Sequence, residues 1–213
     1  MGWCTGTLIA PRRVLTAAHC LFNTHTNDWV KPGVVHFVVG QVNDKFIGHS
    51  LVESFITSPQ INFKLDDLPR HDFMVPNMIR HDWAILRLQE SVVVEPIPIR
   101  VVKNAELPAT GGGGGGEIAL AGYGSDHQYV LSVHKGCDAR IDVPEPGIIT
   151  HMCDSAPGES GGPILLLRDG GAVVIGIHSA NTQRFESQVG FQTVAGRGVS
   201  AAEFEAAAEF QRP

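Results

Sequence analysis

Along the chain, short runs of β-branched, aliphatic and aromatic residues recur, each bounded by glycine, proline or small polar residues. The runs TGTLIA (5–10), RRVLTAA (12–18), VVHFVVG (34–40), WAILRL (83–88), EIALAGYG (117–124), GGPILLL (161–167), AVVIGIHS (172–179) and GFQTVA (190–195) all have strand length. Their composition and turn residues predict an all-β chain. Helical signal is weak until the end, where Ser200 can cap AAEFEAAAEFQ, with Glu203 three residues on and Phe204 and Phe210 as apolar anchors. One C-terminal helix is expected there.

The strand runs are interrupted by ELPATGGGGGGE, whose six consecutive glycines hold neither strand nor helix cheaply, because glycine loses the most backbone entropy on ordering. No G-K-[ST] follows, so the run reads as a connection rather than a phosphate loop. It divides the chain into a β-module over 1–105, a linker over 106–116, and a second β-module with the terminal helix over 117–213.

Composition narrows the functional classes. The 213 residues carry 43% hydrophobic side chains, enough for one large or two small cores. The 16 basic residues are outnumbered by 22 acidic ones and form no polybasic cluster, which gives no electrostatic case for nucleic acid or anionic membrane. No apolar stretch reaches the roughly 20 residues of a membrane span. The segment MGWCTGTLIAPRR reads neither as a secretory signal nor, with Gly6 where Ser or Thr is needed, as a myristoylation site. Polypeptides or small molecules are the expected partners, with a monomer as the expected state.

Cys4, Cys20, Cys137 and Cys153 lack C-x-x-C spacing, which disfavours zinc or thioredoxin-like chemistry. Sequential pairing is one of three possible connectivities. Each bridge would close a loop of roughly 15 residues, worth about 3 kcal/mol in the chain-entropy model, and would point to an oxidising compartment. The histidines, among them His25, His36, His71, His127, His134 and His151, show no metal-binding spacing, so no metal site and no cofactor are proposed.

Three segments carry candidate chemistry. His19 in VLTAAHC follows a strand-like run, Asp82 in RHDWAILRL precedes an alternating strand, and Ser160 in GESGGP lies among glycines that allow close backbone approach. Individually these read as a core histidine, a strand-start cap and a turn. Together they are what acyl transfer needs: a hydroxyl nucleophile, an imidazole to take its proton, a carboxylate to hold the imidazole, and backbone donors for an oxyanion. Asp72 in RHDFMV is a competing aspartate, but Pro76 follows it and no alternating strand does.

LTAAHC, HDWAILRL, GESGGPI and VIGIHSAN, in the order His, Asp, Ser, resemble the trypsin/chymotrypsin-like serine proteases. HFVVG, AGYGSDHQYVLSVHKGC and ITHMCDSAPGESGGPIL bring the likeness closer to bacterial trypsin-like and V8-like, glutamyl endopeptidase-like members. The likeness runs from Trp3 to about Gly190. It implies two packed six-stranded antiparallel β-barrels with a C-terminal helix, and a Cys4–Cys20 bridge beside the histidine. It implies His19 as general base, Asp82 as its orienting partner, Ser160 as nucleophile, and the amides of Gly158 and Ser160 as oxyanion hole. A secreted or periplasmic serine endopeptidase is the expected function. An inert protease-like binding protein is the alternative, and an esterase of another fold is disfavoured by residue order.

Two pocket positions point in opposite directions. Asp154, six residues before Ser160 and next to Ser155, matches the position where trypsin receives Arg or Lys. His178 matches the wall position where glutamyl endopeptidases meet a substrate carboxylate. Ser179, Ala180 and Asn181 would pair with the substrate backbone. The sequence departs from the family at Glu159, where trypsin-like enzymes have an aspartate. It also departs before Cys4, where a further strand is expected.

Overall fold

A computed structural model of the chain describes residues 2–63, 76–108, 115–143, 147–186 and 190–210. Asp72, His71 and the glycines at 111–114 lie outside the described residues. The first half supplies β1 (Thr7–Ala10), β2 (Arg13–Thr16), β3 (Phe22–Asn23), β4 (Asp28–Trp29), β5 (His36–Val39), β6 (Gly48–Thr57) and β7 (Ala84–Leu88). The second supplies β8 (Glu117–Gly122), β9 (Ser132–Lys135), β10 (Ala139–Ile141), β11 (Ile148–His151), β12 (Pro163–Arg168), β13 (Gly171–Glu186) and β14 (Gly190–Ser200). They form a five-stranded sheet in the order β1-β2-β7-β6-β5 and a seven-stranded sheet in the order β10-β11-β14-β13-β12-β8-β9, with β3 and β4 as a small hairpin. Pairing within the sheets is antiparallel throughout. This is the all-β, chymotrypsin-like architecture. The described strands divide into five, seven and the two of the hairpin.

The period of two along each strand sorts the core into three layers. Val14 on β2 and Ala84, Leu86 and Leu88 on β7 face a cluster inside the first sheet with Leu8, Val52 and Phe63. Their neighbours Leu15, Trp83 and Ile85 turn the other way, into a layer shared with Ala119, Leu165, Val174 and Phe204 of the second half. On the far side, Ile118, Leu120, Ile164 and Leu166 close the interior of the second sheet. Strands buried on both faces read as continuous apolar runs, which is why RRVLTAA, WAILRL and GGPILLL stand out in the sequence. Full burial of one such aliphatic side chain contributes about 1.5–3 kcal/mol.

The chain end is helical, though not by the expected cap. Ser200 makes no side-chain capping bond. A 3-10 turn over Ala201–Glu203 leads into a short α-helix over Glu205–Phe210. What fixes this end is packing: Phe204 and Ala208 enter the shared layer, and Arg13 Nη1 donates to the Ala208 carbonyl at 2.9 Å. Arg80 Nη2 also meets Glu203 Oε1 at 2.7 Å. The side chain of Phe210, the second expected anchor, lies outside the described residues. Both disulfides are formed, Cys4–Cys20 and Cys137–Cys153, so of the three connectivities the sequential one holds.

Candidate active site

His19 and Asp82 are 63 residues apart in sequence and meet because β2 pairs with β7, Thr16 opposite Ala84. Beyond Thr16 the chain enters a 3-10 turn over Ala18–Leu21 that carries His19, while Asp82 lies two residues before β7. The Asp82 carboxylate is fully buried. An anion there is tolerable only when paired and hydrogen-bonded. Its Oδ1 accepts the His19 backbone N–H at 2.8 Å, and its Oδ2 lies 2.6 Å from His19 Nδ1. A third donor, Ser179 Oγ, reaches Oδ2 at 2.6 Å. Burial pulls the His19 imidazole down, but the charge and hydrogen bond of Asp82 outweigh it, and His19 lies above the ordinary 6.5. Its side chain keeps 31% exposure, so the ring has an open side.

Ser160 stands in a turn that two elements clamp. Gly161 N–H donates to the His178 carbonyl at 2.7 Å and His178 N–H to the Gly162 carbonyl at 2.8 Å, which ties the turn to β13. From the first half, Thr5 N–H donates to the Ser160 carbonyl at 2.9 Å, and Thr5 Oγ1 donates to the Gly158 carbonyl at 3.1 Å. Gly158 has φ +100° and Gly161 φ +79°, in the left-handed region. A side chain at Gly158 would also strike the Tyr123 carbonyl and the Trp3 indole. Only glycine fits. Among the described residues, neither the Gly158 nor the Ser160 amide is engaged by a protein acceptor.

The pocket candidates separate. His178 is buried on β13, with Ser179 beside it. The β13–β14 ladder shifts register between His178 and Ala180, and within this irregularity the Ser179 hydroxyl reaches Asp82 while the His178 ring meets His151. Ser155 Oγ donates to Asn181 Oδ1 at 2.7 Å, joining the segment before the Ser160 turn to the end of the candidate substrate strand. Asp154 stands apart, with its side chain 97% exposed and 3.4 Å from His134 Nδ1. Both line a cavity of about 450 Å³ with Ser155 and Glu159.

Glu159 is buried, and its Oε2 accepts the Ala156 N–H at 2.9 Å. Burial pushes its carboxyl up, the Ala156 bond pulls it down, and Asp126 adds to the rise; the net is above the ordinary 4.5. Cys4, His19 and Cys20 form the sole metal-like cluster among the described residues, but both sulfurs are consumed in the disulfide.

Two residues escape sequence reasoning. Thr5 bridges the halves, since Tyr123 N–H donates to its Oγ1 at 2.9 Å, and only its place next to Cys4 hinted at this. His151, which the sequence marks only as lacking metal-binding spacing, is wholly buried and lies 3.0 Å from His178.

The two-sheet architecture agrees with a solved Glu endopeptidase in complex with MPD, at a TM-score of 0.66 and 21% identity over 98% of this chain and 86% of that one. The Trypsin family model matches residues 1–196, and the chain belongs to the Trypsin family. It is 31% identical over 171 residues to human serine protease 23, covering 74% of this chain and 41% of that protein. It is 27% identical over 197 residues to the proclotting enzyme of Tachypleus tridentatus, covering 83% of this chain and 51% of that protein. The chain spans about half the length of these relatives or less.

Proposed function

We propose that this chain is a serine endopeptidase acting through an acyl-enzyme, in which Ser160 is the nucleophile, His19 the general base and Asp82 the residue that holds His19. The observation that carries the reading is the double clamp on His19: ring Nδ1 and backbone N–H both on one buried carboxylate. With Nδ1–H committed to Asp82, Nε2 is left as the basic atom that takes the Ser160 proton during attack on the scissile carbonyl. The amides of Gly158 and Ser160 then receive the oxyanion, His19 returns its proton to the leaving amine, and water repeats the sequence on the acyl-enzyme.

Cleavage after acidic residues is the favoured specificity. His178 is buried on the strand that holds Ser179, whereas Asp154 turns its carboxylate out beside His134. Ser179, Ala180 and Asn181 would carry the substrate backbone, with Ser155 bracing Asn181. Two disulfides suit an oxidising, extracellular or periplasmic setting.

The test is labelling with a fluorophosphonate followed by peptide mapping. The expected adduct is on Ser160, absent in Ser160→Ala and accompanied by loss of peptide hydrolysis. Folded wild-type protein that takes no label, or a Ser160→Ala variant with unchanged proteolysis, defeats the reading. A peptide library read on the same protein should show cleavage after Glu or Asp rather than after Arg or Lys.

A further inference from the structure

His151 and His178 lie on strands that do not pair with each other. His151 on β11 is opposite Gly196 of β14, and His178 on β13 is opposite Gly198 of the same strand. Glycine at both registers leaves the face of β14 bare, and a side chain at Gly196 would run into the His151 ring. The rings meet across that gap, His151 Nε2 to His178 Nδ1 at 3.0 Å, with interplanar angle 70°.

Proton counting fixes the direction of this bond. Among the described residues, the charged or titratable groups acting on the pair are themselves imidazoles, His134 of β9 on His151 and His19 on His178. Burial, with these neighbours, pushes His151 down to about 4 and His178 to about 3, so both are neutral near pH 7. One proton then lies between them. Among the described residues, His151 Nδ1 is buried without a partner. If His178 donated through Nδ1, His151 would carry its own proton on Nδ1, as an orphaned N–H. If His151 donates through Nε2, its Nδ1 is only a bare lone pair. Buried donors without acceptors are the rarer and costlier defect. The second arrangement therefore prevails, and it leaves His178 with its proton on Nε2, the ring atom not bonded to His151.

We propose that His151 is a positioning residue that locks His178 in the Nε2–H tautomer, so that the wall beside the nucleophile turn presents a neutral hydrogen-bond donor to the side-chain carboxylate of the substrate. This rests on the endopeptidase reading with His178 in the pocket. Acid recognition then comes from an oriented N–H and not from an imidazolium, and it persists at neutral and alkaline pH.

The test uses the whole chain, with ¹⁵N-labelled histidine and long-range ¹H–¹⁵N spectra. His178 is expected to show a protonated Nε2 and a bare Nδ1 from pH 5 to 8. His151→Phe should give a mixed tautomer and raise KM about tenfold for a peptide cleaved after Glu, with kcat held within about twofold and peptides cleaved after non-acidic residues unaffected. His151→Gln, whose amide can donate to Nδ1, should restore both the tautomer and KM. A wild-type His178 protonated on Nδ1 overturns the lock, as does a His151→Phe variant with wild-type tautomer and KM. Fluorophosphonate labelling is read separately: an unlabelled Ser160 beside an Nε2–H His178 upholds the lock while the endopeptidase reading falls.

Discussion

Two histidine sites flank the Ser160 turn, one built on the first sheet and one on the second. His19 faces the carboxylate of Asp82 at 2.6 Å, and His178 faces the imidazole of His151 at 3.0 Å. Burial is the largest influence at both and acts downward at both. The outcomes are opposite, because at His19 a buried negative charge reverses the sign and at His178 nothing does. Burial sets the default for an imidazole, and the group across the hydrogen bond decides whether it becomes a base or a neutral donor.

The same contrast has opposite consequences for stability. A raised His19 stabilises the fold most below the unfolded value of 6.5, and this contribution is lost as pH rises through the folded value. Lowered His151 and His178 bind protons less readily than in the unfolded chain, so they cost stability as pH falls from 6.5 toward 4 and 3. The proposed mechanism needs His19 neutral, so activity should rise with pH through a value above 6.5, where the His19 contribution to stability is waning.

The largest effect should come from removing the charge that separates the two sites. Asp82→Asn keeps the shape but offers His19 a neutral partner and the wrong tautomer, and kcat should fall about 10⁴-fold, as this change does in the prototype triad. The acid limb of the residual activity should shift to lower pH, toward the behaviour of an unpaired buried imidazole. A pH–rate profile checks both, and a loss smaller than about tenfold would show that Asp82 does not orient the base.

The reverse experiment makes the second site resemble the first. His151→Glu puts a carboxylate where the second imidazole stands, and His178 should rise from about 3 by roughly two units or more, as a paired histidine does. NMR titration of the His178 ring reads the shift directly. An unmoved His178 would mean that the loss of solvent alone controls it and that the partner is irrelevant.

How far the sequence foresaw this comparison follows from what periodicity can and cannot encode. Leu15 against Val14, and Ile85 against Leu86, alternate between two cores, and such runs are visible as strands without any structure. His19, Asp82 and Ser160 stand out as candidates because each sits in a distinctive local setting. The His19–Asp82 contact itself needed the β2–β7 pairing, a non-local fact. His151 was not legible: its partner lies 27 residues away and the gap it fills depends on glycines of a third strand. The Ser200 cap was misjudged for the opposite reason, since a good local signal lost to the burial of Phe204. Asp154 likewise holds the expected sequence position, yet its carboxylate faces solvent.

The smallest expected effect concerns Glu159, the acidic counterpart of His178: a buried titratable group without an opposite charge among the influences acting most strongly on it. Its carboxyl is raised by burial, with Asp126 and Asp154 adding to the rise, against the Ala156 hydrogen bond and the smaller pull of His134. A carboxyl raised on folding binds protons more tightly in the folded chain, so its ionisation costs nothing below the unfolded value of 4.5 and its full amount above the folded value. Glu159→Gln removes the charge and keeps an oxygen for the Ala156 N–H. The difference in Tm between variant and wild type should therefore grow in the variant's favour from pH 4 to pH 8, with kcat/KM at pH 8 within about threefold because the turn around Gly158 and Ser160 is retained. Thermal melts at the two pH values read the sign. A wild type that gains on the variant as pH rises would mean that pairing with a cation such as His134 outweighs burial of Glu159, and the Ser160 turn would then be braced by charge pairing more than by the Ala156 amide.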